Sequence, residues 1–348
     1  MNIIIDINHP AHVHLLRNLY HELLNNGHKV WVTVKDIPIA KDLLDLYKIK
    51  YIEIGKKRDS LSGKAFSQVE YNFKVLQLVK KNKIRIGIGT SMTLAHVSKL
   101  SKMQSIILDD DDDEVEPLFV KYAHPFANVI LSPKSLIGHR KNTRTVFYSG
   151  YHELAYLHPK RFKPDKTILH KLGIHENDKF FILRFNAFKA HHDIGAEGIN
   201  LEQKLKLVNL LRNYGKIFVT TEREIEPELI RYQLKVSPEK IHSLLYFATM
   251  YMGDSQTMAS EAAILGTPAL KCNSFAGKLS VPNELEKKYK LCYSFLPSKF
   301  DEYLTKIEIL LNQPTLKQVW GNKRMKMLED KEDVTGYLLW FIENYPNI

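Results

Sequence analysis

The chain has 348 residues, enough for two domains at roughly 150 residues each, and its 44% hydrophobic and 26% charged side chains exclude a disordered, collagen-like or disulfide-scaffold chain. No apolar run approaches the roughly 20 residues of a membrane span, and the opening Met1 to Ile7 is too short and carries an acid, so neither a span nor a signal peptide is expected. Fifty Lys and Arg against 39 Asp and Glu leave a net charge of +11, which points to an anionic partner.

The first half alternates β-branched runs with amphipathic stretches, the sequence form of βαβ units building a parallel sheet. Strands are expected at Asn2 to Ile7, Lys29 to Val34, Tyr51 to Ile54, Ile84 to Gly89, Gln104 to Leu108 and Asn128 to Ser132. Helices fall between them at His12 to Asn26, Pro38 to Tyr47, Lys64 to Asn82, Met92 to Lys102 and Pro117 to Ala123. This makes residues 1–155 one Rossmann-like domain. A Pro- and Lys-bearing stretch at 156–177 reads as a linker. A second series over 178–330 then has strands at Lys179 to Phe185, Lys216 to Thr220, Thr249 to Met252, Pro268 to Cys272 and Leu291 to Phe295. Its helices are Leu201 to Tyr214, Pro238 to Phe247, Thr257 to Leu265, Lys299 to Asn312 and Thr315 to Asp330. Residues 331–348 form a last helix, expected to pack back on the first domain. The fold class is therefore α/β, with two doubly wound domains facing across a cleft, because ligands bind beyond the carboxyl ends of such strands.

In the second domain a buried strand ends at Gly253, the turn Asp254, Ser255, Gln256, Thr257 follows, and a helix begins at once. Free backbone N–H groups and the positive helix end then point at one spot, which suits a diphosphate. Glu261, four residues after Thr257 on the same helix face, is placed to accept both hydroxyls of a ribose. The same residues also read as an ordinary capped helix with Glu261 in solvent. Arg184, Lys189, His191 and His192 leave the first strand of this domain and would form a cationic clamp on the same ligand, or else a solvated basic loop. Thr220 to Glu224 offers a nucleobase contact from another strand end, with nothing diagnostic in it.

The first domain carries three histidines after its first strand, His9, His12 and His14. Their spacing matches no metal pattern, so the functional reading is one general base near neutral pH, with Asn8 and Arg17 for polar or phosphate contacts. The alternative is that His9 and His14 are partly buried structural residues. Six consecutive acids, Asp109 to Glu114, follow the fifth strand; Asp109 or Asp110 is expected to face the cleft, and Asp112 to Glu114 to be solvated. The glycines of Gly87-Ile-Gly89 permit close approach of a ligand. Cys272 and Cys292 lack disulfide or zinc spacing and are expected to be buried thiols.

Several of these segments together resemble the DUF354 family of predicted glycosyltransferases, over essentially the whole chain. The resemblance rests on Asp6-Ile-Asn-His-Pro-Ala-His-Val-His14, Gly150-Tyr-His-Glu-Leu-Ala-Tyr-Leu-His-Pro159, Ile182-Leu-Arg-Phe185 with His191-His-Asp-Ile194, and Gly253-Asp-Ser-Gln-Thr-Met258 with Glu261 and Leu265-Gly-Thr-Pro268. It implies the GT-B architecture, shared with MurG-type N-acetylglucosaminyltransferases, UDP-N-acetylglucosamine 2-epimerases and UDP-sugar hydrolases. Ala11-His12-Val13 resembles the Gly-His-Val of the MurG-type loop, which implies His12 as the catalytic or acceptor-activating residue. Asn8-His9-Pro10 stands where that loop carries glycines. The resemblance also implies that Ser255, Gln256 and Thr257 hold a UDP diphosphate and Glu261 its ribose.

The expected function is a metal-independent glycosyltransferase that uses a UDP-linked sugar, without a cofactor, in envelope or surface glycan synthesis. His12, or else Asp109, deprotonates the acceptor, and the Ser255 turn with Arg184 or Lys189 stabilises the leaving UDP. One alternative is a UDP-N-acetylhexosamine 2-epimerase or UDP-sugar hydrolase, with Asp109, Glu116 and His191 in proton transfer. A remote one is a non-catalytic nucleotide- or nucleic-acid-binding protein. The charge carries no K/R-rich run with interleaved aromatics and no RNP-like strand, so nucleic acid is not expected as a partner. A sugar or lipid-linked acceptor is expected, in a cytoplasmic protein that meets the anionic inner membrane face through Lys56-Lys57-Arg58 and Lys80-Lys81-Asn82-Lys83.

Overall fold

The structure is a computed structural model that describes the chain except residues 57, 59, 176, 177, 186–196, 222, 223 and 348, and the side chains of 61 and 62. It divides into two compact units, Met1–Arg161 with Lys331–Ile348, and Phe162–Asp330.

The first unit runs β1 (Asn2–Ile7), α1 (Pro10–Asn25), β2 (Lys29–Asp36), α2 (Pro38–Leu46), β3 (Ile52–Lys56), α3 (Leu61–Lys81), β4 (Ile86–Gly89), α4 (Met92–Lys99), β5 (Gln104–Leu108), α5 (Pro117–Tyr122), β6 (Val129–Pro133), β7 (Thr145–Tyr148) and α6 (Leu154–Leu157). All seven strands are parallel, in the order β3-β2-β1-β4-β5-β6-β7. Ile3, Ile4, Ile5, Ile88, Ile106, Ile107, Ile130 and Leu131 are buried, as expected where helices cover both faces of a parallel sheet. The order reverses between β1 and β4, and the loops leaving those two strands diverge there.

The structure adds β7 to the six expected strands. It lies at the sheet edge beside β6 and of its four residues buries only Tyr148 fully, so it carries little of the hydrophobic pattern that marks a strand in sequence. Helix α1 begins two residues before the expected His12. His9 is its N-cap, accepting the Ala11 N–H through Nδ1 at 3.2 Å, and Pro10 fills the first turn, where its missing N–H costs nothing. The C-terminal helix, Val334–Asn344, packs on α1 and α6. Thr335 Oγ1 donates to the Ala155 carbonyl at 2.8 Å, and Arg161 pairs with both Glu22 and Asp333.

The second unit runs α7 (Thr167–Lys171), β8 (Phe180–Phe185), α8 (Leu201–Leu211), β9 (Lys216–Thr221), α9 (Ile241–Phe247), β10 (Met250–Gly253), α10 (Gln256–Leu265), β11 (Ala269–Cys272), α11 (Ser280–Lys287), β12 (Cys292–Phe295), α12 (Phe300–Leu311) and α13 (Leu316–Asp330). Its five parallel strands lie in the order β12-β11-β10-β8-β9, so the reversal falls between β8 and β10. Helix α10 is buried from Ala259 to Leu265. Helix α11 was not legible in the sequence; Pro282 lies inside it, and its apolar contribution is confined to Val281, Pro282 and Leu285. Both cysteines are buried free thiols, and burial pushes each up to about 12.

Candidate active site

Two glycines mark the switch points. Gly89 ends β4 with φ 154°, and a Cβ there would lie 2.6 Å from the Asp6 carbonyl of β1. Gly253 ends β10 with φ 151°, and its Cβ would lie 2.1 Å from the Arg184 carbonyl of β8. Only glycine lets the chain turn off the sheet at that distance from its neighbour.

At the β1/β4 switch point Asp6 is fully buried and accepts from Thr33 Oγ1 at 2.6 Å, from Asn8 Nδ2 at 3.0 Å and from Ser91 Oγ. Ser91 also caps α4 by accepting the Leu94 N–H. One carboxylate thus fixes the loop that follows β1. In that loop the Asn8 backbone N–H donates to His12 Nδ1 at 3.3 Å. A backbone N–H can only donate, so Nδ1 carries the lone pair and the neutral ring bears its proton on Nε2. Burial, then the neighbouring His9 and His152, and Lys35, hold His12 down to about 3 against the opposing pull of Asp110. At neutral pH His12 is therefore an uncharged N–H donor. A general base would need the Nε2 lone pair that this tautomer lacks. His14 is buried, with its ring centroid 5.9 Å from that of Tyr47 and 5.5 Å from that of Tyr156.

In the acid run after β5, Asp112 and Asp113 are not the solvated residues expected. Arg140, whose side chain is fully buried, holds Asp109 Oδ2 at 2.9 Å and Asp113 Oδ1 at 2.5 Å, and donates to the carbonyls of Asp109 and Asp111. His124 Nε2 meets the same Asp109 oxygen at 2.7 Å. Asp109 is thus a buried anchor for its own loop, which removes it from the proton-transfer role expected of it. Asp112 and Asp113 are buried as well, and Glu114 is exposed. Both expectations took the run as local, whereas its partners come from residues 124 and 140.

Asp110 turns the other way. Its Oδ1 lies 2.9 Å from Nδ1 of His152, in the loop after β7, and His152 stacks on Tyr148 with ring planes 9° apart. Burial opposes a charged His152, but Asp110, then Glu153 and Asp109, outweigh it and raise its pKa above the ordinary histidine value. Burial likewise works against the charged form of Asp110, yet His152 keeps its carboxyl below the usual range. His152 Nε2 is buried with no hydrogen-bond partner among the described residues. The sequence names no role for either member of this pair, Asp110 being only the alternative to Asp109 in facing the cleft. The available signal was the Gly150-Tyr-His-Glu segment, which carries the family resemblance without any spacing that names a chemistry.

At the β8/β10 switch point Ser255 caps α10, its Oγ accepting the Met258 N–H at 3.5 Å. Asp254 is buried and accepts the Ile199 N–H at 3.3 Å, so its carboxylate braces the chain ahead of α8. Gln256 is held by Lys271, which donates to its Oε1, and lies 3.3 Å from Asn273 Oδ1 through Nε2. Thr257 is exposed at the helix start, and Arg184 is half-buried in β8. Glu261 is buried, not solvated, and His242 Nε2 meets its Oε1 at 2.9 Å. Lys189, His191 and His192 lie outside the described residues, as do Glu222 and Arg223 of the expected nucleobase contact. Among the described residues no group of three or more His, Cys, Asp or Glu side chains could hold a metal ion, and no helix is long and apolar enough to cross a membrane.

Residues 1–334 match the family described as Protein of unknown function (DUF354). The chain belongs to this family. The DUF354 protein is 24% identical over 367 residues to an uncharacterised protein of Methanocaldococcus jannaschii, MJ0665, covering 99% of the chain and 98% of the relative. Among solved structures it is similar to S. aureus MnaA in a co-structure with UDP, with a TM-score of 0.71, 13% identity and coverage of 99% and 97% of the two chains. The UDP-GlcNAc 2-epimerase of Neisseria meningitidis, bound to UDP-GlcNAc, gives 0.67 at 12% identity and 99% and 100% coverage. The spinosyn forosaminyltransferase SpnP gives 0.65 at 13% identity and 97% and 98% coverage. With its two parallel-sheet Rossmann-like units, this DUF354 protein has the GT-B fold.

Proposed function

We propose that the protein is a glycosyltransferase that takes a UDP-linked sugar and delivers it to an acceptor in envelope or surface glycan synthesis. The observation that carries this reading is the turn at the β8/β10 switch point, where Gly253 lets the chain leave the sheet directly into the Ser255-capped start of α10. Unpaired N–H groups at a helix start attract a diphosphate. The buried Glu261 carboxylate, steadied by His242, lies one turn further on to receive a ribose. That two structures of the same fold hold UDP or UDP-GlcNAc supports the choice of nucleotide. Arg184, with Lys189 and His191, would neutralise the leaving phosphate, so the reading needs neither cofactor nor metal. Calorimetric titration with UDP against ADP, GDP and dTDP tests it, and absence of UDP binding refutes it.

A second reading, a UDP-N-acetylhexosamine 2-epimerase or hydrolase, is favoured by the 2-epimerase likeness. Incubation with UDP-sugar alone separates the two, because only the second turns over without an acceptor. An anionic membrane is the proposed meeting place with a lipid-linked acceptor. Helix α3 supports it: Phe66, Val69 and Phe73, spaced along one helical face, are 61%, 68% and 60% exposed, and Lys64, Lys80 and Lys81 lie on the same helix. Exposed apolar side chains on a helix that also carries lysines suit an acidic bilayer surface.

A further inference from the structure

We propose that His152, oriented by Asp110, is the general base that deprotonates the acceptor hydroxyl; the inference rests on the transferase reading above and names the group that performs its proton transfer. Asp110 accepts from Nδ1 of His152 at 2.9 Å. A carboxylate on Nδ1 places the proton of the neutral ring there and leaves the lone pair on Nε2. That nitrogen is buried and unpartnered among the described residues. A buried polar atom left without a partner is costly and calls for a use, and a lone pair held in a fixed direction is what proton abstraction requires. The two other candidates are committed elsewhere. His12 receives the Asn8 N–H on Nδ1 and so presents a proton, not a lone pair. Asp109 is bound by Arg140 and His124.

In the step, the acceptor O–H proton passes to His152 Nε2 as the acceptor oxygen bonds to the anomeric carbon. The bond from that carbon to the β-phosphate oxygen breaks, its electron pair leaves with UDP, and the imidazolium then loses its proton to solvent. His12, as an Nε2–H donor, is left to hydrogen-bond an oxygen of substrate. The charged and titratable groups around His152 are Asp110, Asp109, Asp111, Glu153 and His12, with Tyr148 stacked on the ring and His9 and Lys35 beyond His12. Since Asp110 stabilises the protonated ring, it shifts the acidic limb of the base upward, and removing Asp110 moves that limb toward acid.

The test measures kcat, donor KM and UDP affinity for the wild type, His152→Gln, Asp110→Asn and His12→Gln from pH 5 to 9, with thermal melts to verify folding. His152→Gln should lose about 10² to 10⁴ in kcat, lose the acidic limb, and keep UDP affinity within about twofold. Asp110→Asn should lower kcat and shift the limb to lower pH, while His12→Gln leaves the limb in place. If His152→Gln folds and keeps kcat within about threefold, the assignment is overturned and the transferase reading stands. If it fails to fold, an unmoved limb in Asp110→Asn overturns the assignment. Wild-type protein that binds no UDP overturns the transferase reading and this step with it. If UDP binds but no turnover is found, histidine ¹⁵N NMR decides: a neutral Nδ1–H tautomer for His152 sustains the assignment, and an Nε2–H tautomer overturns it.

Discussion

Replacing Arg140 by methionine should destabilise the first unit more than any single change at its surface. The guanidinium is fully buried, and the Asp109 and Asp113 side chains it holds are each only 4% exposed. The same group donates to the carbonyls of Asp109 and Asp111. Methionine keeps most of the volume but takes the guanidinium away from two buried carboxylates, of which Asp109 keeps His124 and Asp113 keeps the Lys141 N–H. Removing one partner of such a pair costs about 3–5 kcal/mol, against about 0–1 kcal/mol for an exposed ion pair. At about 2–4 °C per kcal/mol for a unit of this size, the first melting transition should fall by roughly 6–20 °C. Urea denaturation followed by tryptophan fluorescence and far-ultraviolet circular dichroism, at fixed pH and salt, gives the free energy. The double change Arg140→Met with Asp109→Asn should recover part of the loss, with a coupling of about 1–3 kcal/mol. A loss below about 1 kcal/mol for Arg140→Met alone, or strictly additive effects in the cycle, would refute the view that the acid run is an internal anchor.

Glu261→Ala should weaken UDP binding by about 1–3 kcal/mol, the range for a hydrogen bond involving a charged group, and unchanged affinity by calorimetry would remove Glu261 from the nucleotide site. His14→Ala should lower the melting temperature through lost contact with Tyr47 and Tyr156 while sparing UDP affinity; a selective loss of turnover would show that His14 touches substrate. Sedimentation with anionic and with neutral liposomes at low salt should show binding to the anionic ones alone, reduced in Phe66→Ser/Phe73→Ser. Equal binding to both, or an undiminished variant, would exclude α3 as the contact.

Apart from β7, the strands of both sheets could be read from the sequence because a buried parallel strand advertises itself locally, as in Asn2 to Ile7 or Lys179 to Phe185. The turn at Gly253 to Thr257 was legible for the same reason: strand end, cap and helix start are contiguous, so their geometry follows from neighbouring residues. Strand β7 and helix α11 leave little mark in the sequence because their burial is slight and their pattern short. The partners of the buried charged residues were not legible. Six acids in a row look alike in sequence, yet Asp109 and Asp113 close on Arg140, Asp110 on His152, and Glu114 faces water. Glu261 reads in sequence as a ribose acceptor or as a solvated helix residue, and its buried partner His242, 19 residues before it, is not legible from either reading. An ion pair is chosen by which side chains the fold brings within about 3–4 Å and by how much water it excludes from them, and for these residues both are properties of the assembled sheet and its loops, which no local period or spacing records.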